Sequence, residues 1–211
     1  MKSDVGTTSG DNSSPAHFKG AFDIVALAAS AGGLRAISEI LAVLPAEFSA
    51  AIVVVQHLDP RHRSLMADIL SRRTALKVKE AQEGAHVNAG MVYIAPSNRH
   101  LLVNPDGTLS LSQSELVHFV RPSADLLFES VAASYKDRAI AVVLSGTGSD
   151  GSMGVKAIKK MGGTVIVQDE KSAEFFGMPG AALQTGSVDF ILALDEIPSA
   201  LLTLVSTGDM S

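Results

Sequence analysis

From Phe22 onward, short apolar runs rich in β-branched residues alternate with segments whose apolar residues recur every three or four positions. Such alternation leaves few folds open, because each strand needs a helix to cover it and each helix needs a sheet to bury its apolar stripe. Asp23-Ile24-Val25-Ala26-Leu27-Ala28 is apolar without interruption after its first residue and reads as a strand buried on both faces. Leu34, Ile37, Ile40, Leu41 and Leu44 then follow helical spacing until Pro45 stops the helix. Ala51-Ile52-Val53-Val54-Val55 is a second buried strand, followed by a helix through Leu65, Ile69 and Leu70. The middle section changes character. Met91-Val92-Tyr93-Ile94-Ala95, Leu101-Leu102-Val103 and Leu109-Ser110-Leu111 are short strands, with Asn104-Pro105-Asp106-Gly107 as the turn between the last two. This predicts an antiparallel hairpin insertion near 91–112. Strand and helix then alternate again: helix 124–135, strand 139–145, helix 151–161, strand 164–168, a helical turn near 180–184, strand 188–193 and helix 195–206. Gly162-Gly163 closes the helix that carries Lys156, Lys159 and Lys160, which suits a helix C-terminus. The expected fold is α/β: one doubly wound, mostly parallel sheet with helices on both faces. No internal repeat is present.

A chain of 211 residues suits one domain. Residues 1–20 are Ser, Gly, Thr and Asp with almost no large apolar side chain, and read as a disordered tail. Residues 21–211 form the catalytic domain of this reading. The net charge of −5 argues against a nucleic-acid partner, which demands a basic face. There is no cysteine, so disulfides and thiolate metal sites are excluded. The N-terminus has no apolar signal segment, and no run approaches the ~18 residues of a membrane span. The expected setting is the cytoplasm, without membrane insertion.

In doubly wound sheets, function gathers at the carboxyl ends of the strands. Three such ends carry a serine, a histidine and an aspartate, the parts of a nucleophilic triad. Ser30 lies in a sharp strand-to-helix turn among Ala and Gly, where free N–H groups of the next helix point at it. A helix N-cap explains the same serine. A dinucleotide loop does not, because glycines would be needed where Ala28 and Ser30 stand. His57 ends the second strand ahead of Pro60 and can accept the Ser30 proton, or simply bond a loop carbonyl. A metal site built from His57, Asp59 and His62 lacks zinc-type spacing. Asp150 precedes the helix through Val155 and Ile158; its carboxylate can cap that helix and, held ionised there, orient an imidazole. Gly146-Thr147-Gly148 has no P-loop lysine, so nucleotide binding is not indicated. His17 belongs to the tail, and His62, His86, His100 and His118 read as surface or loop residues.

Ser30-Ala31-Gly32-Gly33, Gln56-His57 and Ser145-Gly146-Thr147-Gly148-Ser149-Asp150-Gly151, in this order, resemble the catalytic domain of the chemotaxis protein-glutamate methylesterases (CheB type). Lys79-Glu80-Ala81, Tyr93-Ile94-Ala95-Pro96, Arg121-Pro122-Ser123-Ala124-Asp125-Leu126-Leu127-Phe128 and Phe176-Gly177-Met178-Pro179 extend the likeness over residues 22–206. The order Ser, His, Asp also differs from that of α/β-hydrolases. The resemblance implies a serine hydrolase that demethylates glutamate methyl esters on receptor cytoplasmic helices, with glutamine deamidation as a side activity. It implies Ser30 as nucleophile, His57 as base, Asp150 as acid, the Ala31 and Thr147 N–H groups as oxyanion donors, and no metal or cofactor. Two positions depart from the family pattern: Ala31 stands where Thr is frequent and Thr147 where the family has Met. The family's N-terminal phospho-receiver domain does not fit into ~20 residues, so the expectation is activity without phosphorylation, with a separate regulatory protein as a further partner. The alternatives are a serine esterase or amidase on a small molecule, and a non-catalytic signalling interaction domain.

Overall fold

The computed structural model describes residues 22–57, 65–117 and 119–206. The strands are β1 (Ile24–Ala29), β2 (Ala51–Gln56), β3 (Lys77–Glu80), β4 (Met91–Ile94), β5 (His100–Val103), β6 (Leu109–Ser112), β7 (Ala139–Val143), β8 (Thr164–Gln168) and β9 (Phe190–Leu192). The helices are α1 (Gly33–Val43), α2 (Met66–Ser71), α3 (Ala124–Tyr135), α4 (Ser152–Lys160), α5 (Gly177–Gln184) and α6 (Ile197–Ser206). Seven strands form one sheet in the order β3-β4-β2-β1-β7-β8-β9, and every pairing in it is parallel. The doubly wound α/β expectation is met.

The strand pleat explains the layers. Along β1, Ile24, Ala26 and Ala28 face one core, whereas Val25, Leu27 and Ala29 face the other. The first core is closed by α3, α4 and α5 through Leu127, Phe128, Val155, Ile158 and Met178. The second is closed by α1, α2 and α6 through Ile37, Ile40, Leu70, Ile197 and Leu201. A strand covered on both faces has no solvent side, which is why β1 and β2 read as unbroken apolar runs.

Two sequence expectations need correction. The hairpin is narrower than 91–112: β5 and β6 pair antiparallel as a separate two-stranded sheet, while Met91–Ile94 is β4, parallel between β2 and β3. The burial pattern gives the reason, since Val92, Tyr93 and Ile94 are buried in succession, as in a central strand. The strand Lys77–Glu80 was not anticipated, because three of its four residues are charged and it lies at the sheet edge. Smaller shifts touch the ends of elements; α5, for example, starts at Gly177 with Pro179 in its first turn, where a missing N–H costs nothing.

Candidate active site

The sheet order reverses between β1 and β7, since β1 leads outward through β2 on one side and β7 leads outward through β8 on the other. Ligand clefts form at such a reversal, beyond the carboxyl ends of the strands. Register then sets which side chains meet there. Ala29 pairs with Gln56, so the next residues, Ser30 and His57, lie across from each other. The backbone continues the ladder one step, with His57 N–H donating to Ala29 C=O at 3.1 Å and Ser30 N–H donating to Ser145 C=O at 3.0 Å.

The turn that carries Ser30 is held from both sides. Gln56 Nε2 donates to the Ser30 carbonyl at 2.7 Å, and Gly33 N–H donates to the same oxygen at 2.9 Å. Ser145 Oγ donates to the Ala31 carbonyl at 2.8 Å and accepts from Phe175 N–H at 3.0 Å. Gly32 has φ of 76°, a left-handed conformation that turns the strand sharply into α1. Gly146 permits a close approach: a Cβ there would stand 2.4 Å from Met178 Sδ and 2.9 Å from Ser30 Cβ.

His57 Nε2 lies 2.8 Å from Asp150 Oδ2, with the side chains 13% and 4% exposed. The carboxylate is saturated with donors. Oδ2 also accepts from Ala124 N–H at 2.6 Å, and Oδ1 accepts from Ser123 Oγ at 2.9 Å and Asp125 N–H at 3.1 Å. Burial pushes the Asp150 carboxyl up, but the bonds from His57, Ala124 and Asp125 outweigh it and hold the group below its ordinary value. This corrects the expected geometry. Asp150 does not cap the helix that follows it; Gly151, at φ of 96°, takes that N-cap position without a side-chain bond. The carboxylate turns instead to the N-terminus of α3, whose free N–H groups and dipole favour an anion.

Ser30, His57, Thr147, Gly148, Ser149 and Asp150 line one cleft of about 360 Å³, and Phe119 and Val120 complete its wall. The N–H groups of Ala31 and Thr147 donate to no acceptor among the described residues. The loop 146–148 is supported from below: Gly146 N–H donates to Phe175 C=O and Met178 N–H donates to Gly146 C=O, both at 2.9 Å. The Phe176-Gly177-Met178 stretch therefore acts as the floor of that loop. Chemically, the arrangement offers a half-buried hydroxyl, an imidazole held by an ionised carboxylate, and two donors aimed at no protein acceptor.

One residue of this region differs from the sequence expectation. His100 is not a surface histidine; it is 0% exposed at the start of β5, with Nδ1 accepting from Ser123 N–H at 3.1 Å and Nε2 bonded to Glu115 C=O at 3.0 Å. The available signal was its place directly before the apolar run Leu101-Leu102-Val103. Ser123, also 0% exposed, was noticed only as part of a family-like stretch. His86 is exposed. His17, Asp59, His62 and His118 lie outside the described residues.

Comparison with known proteins follows the same outline. The family profile described as CheB methylesterase matches residues 25–201. A Leptospira interrogans protein that carries the provisional name protein-glutamate methylesterase/protein-glutamine glutaminase is 42% identical over 183 residues, covering 87% of this chain and 95% of the relative. The Myxococcus xanthus protein-glutamate methylesterase FrzG is 41% identical over 184 residues; the match covers 87% of this chain and 55% of that longer relative. The crystal structure of the Thermotoga maritima CheB methylesterase catalytic domain superposes with a TM-score of 0.84 at 39% identity, covering 87% of this chain and 99% of that one. Fold and sequence therefore agree, and the chain belongs to the CheB methylesterase family.

Proposed function

We propose that this chain is a cytoplasmic protein-glutamate methylesterase that hydrolyses glutamyl methyl esters on the helices of methyl-accepting receptors, with Ser30, His57 and Asp150 as its triad. The observation that carries the reading is the His57–Asp150 pair at 2.8 Å in the cleft that Ser30 also lines. His57 uses Nε2 for Asp150, so Nδ1 is the ring nitrogen left to take the Ser30 proton. Ser30 Oγ attacks the ester carbonyl as its proton passes to His57. The Ala31 and Thr147 N–H groups donate to the oxyanion that forms. Because both donors belong to the backbone, the residue types at 31 and 147 leave the donors in place, and only Thr147, which lines the cleft, alters its wall. The intermediate collapses, and His57 returns the proton to the departing methoxide, which leaves as methanol. Water then attacks the acyl-enzyme and gives one proton to His57, which passes it to Ser30 Oγ as the glutamate side chain is released. Asp150 keeps its charge throughout and stabilises the imidazolium.

The same steps accept a primary amide, with ammonia as the leaving group. The double names of the relatives, methylesterase and glutaminase, favour that second activity. The experiment is methanol release from a methylated receptor preparation, run beside ammonia release from the glutamine form. Methanol release together with phosphonate labelling at Ser30 supports the reading. Labelling at another serine, or turnover of small free esters with none of the receptor, contradicts it.

A further inference from the structure

Asp150 accepts four hydrogen bonds, and Ser123 Oγ is the only donor among them that is neither backbone nor His57. Ser123 is also the N-cap of α3, where its Oγ accepts from Leu126 N–H. The distances decide which task dominates. The cap bond is 3.5 Å long, at the limit of a hydrogen bond, whereas the bond to Asp150 is 2.9 Å. A hydroxyl has one proton and an ionised carboxylate can only accept, so that proton belongs to Asp150.

The order continues one residue further. Ser123 N–H donates to His100 Nδ1 at 3.1 Å, so that nitrogen carries no proton. The ring proton therefore sits on Nε2 and donates to Glu115 C=O at 3.0 Å. His100 and Ser123 are both 0% exposed and Asp150 is 4% exposed, so water does not compete for these bonds. Every proton in the series Glu115 C=O, His100, Ser123, Asp150, His57 has one direction.

We propose that Ser123 and His100 are positioning residues for the triad, acting in series to hold the Asp150 carboxylate in the rotation that gives Oδ2 to His57. Ser123 and Asp125 N–H together secure Oδ1, which prevents the carboxylate from turning about its last bond. His100 fixes the backbone of Ser123, and with it the N-terminus of α3. Among the described residues, the titratable groups bonded to Asp150 or to its donors are His57 at the end of β2, Asp125 on α3 and, through Ser123, His100 at the start of β5. Asp125 has its own partner, since its Oδ1 accepts from Gly154 N–H at 2.7 Å.

This rests on Asp150 being the acid of the triad, and the test separates the two ideas. Methanol release by the full chain is measured for Ser123→Ala, His100→Gln and His100→Leu, with Ser30→Ala and Asp150→Asn as references. Ser123→Ala should lower kcat by about 10–100-fold, the range for residues that orient a functional ligand, with KM unchanged. A cap serine alone would lower Tm and leave kcat where it was. His100→Gln offers an acceptor and a donor on one amide and should retain kcat; His100→Leu leaves Ser123 N–H unmatched and should lose about 10-fold. Wild-type kcat in Ser123→Ala, or equal kcat in the two His100 variants, would overturn the proposal. The His100 pair decides the matter if Ser123→Ala does not fold. Active Ser30→Ala and Asp150→Asn references would instead reject the triad beneath it.

Discussion

The two ends of the proposed catalytic cleft are built on opposite principles. At the end of the proposed nucleophile, Ser30 is half-buried in a turn, and the N–H groups of Ala31 and, across the cleft, Thr147 have no acceptor among the described residues. At the acid end, Asp150 is buried and takes four donors, one of which is bound again to a second buried side chain. Unmet donors are useful where charge appears during reaction, and a saturated carboxylate is useful where charge must stay in place. Perturbing the first end should therefore remove chemistry while sparing the fold. Perturbing the second should damage both.

Ser30→Ala tests the first half of that contrast and carries the largest expected effect. It should lower kcat by as much as about 10⁶-fold. Urea unfolding should remain within about 0.5 kcal/mol of wild type, because among the described residues no hydrogen bond of the Ser30 hydroxyl holds the turn. Asp150→Asn tests the second half. The amide presents two N–H donors at a position where both carboxylate oxygens now accept, so either orientation of the amide sets donor against donor. A kcat loss of up to about 10⁴-fold is expected, together with a stability loss of about 1–3 kcal/mol. Full stability in that variant would break the comparison.

Gly146→Ala probes the floor between the two ends. Its Cβ would press on Met178 Sδ and on Ser30 Cβ, and a nucleophile displaced by about 1 Å loses on the order of 100-fold in turnover. Full activity would mean that Met178 gives way and Ser30 does not. The smallest effect concerns pH. Asp150 is held below its ordinary value in the folded protein, so its contribution to stability is fully present above the unfolded value of about 4 and is lost as pH falls through the folded value below it. Urea unfolding of wild type and Asp150→Asn should accordingly differ most near neutral pH, and the gap should narrow below about pH 4. A gap that widened on acidification would contradict the sign of the shift.

Much of the first end could be read from the chain, and little of the second. Ser30 sits where an apolar strand breaks into Ala and Gly before a helix, so strand, turn and free N–H groups are all encoded within a few residues. The near neighbour His57 follows from the same logic, one residue past the end of β2. Asp150 was identified as a residue but assigned to the wrong helix, because a local reading pairs an acid with the helix that follows it. His100 and Ser123 went unrecognised as partners, since 23 residues separate them along the chain. The hairpin boundary failed for a related reason: Met91–Ile94 is apolar on both sides, and its neighbours in the sheet come from β2 and β3, not from the strand that follows it.

By itself, then, the sequence determined the layers and the chemistry available: apolar period sets which face of each element is buried, and residue type sets which groups can attack, accept a proton or carry charge. The tertiary structure alone decided which groups meet. Parallel register puts Ser30 beside His57, and the reversal of sheet order brings the loop after β7 to the same cleft. The packing of α3 against α4 and β5 turns Asp150 toward Ser123. Those contacts join residues far apart in the chain, and their geometry depends on how whole layers pack, which no local pattern of residues encodes.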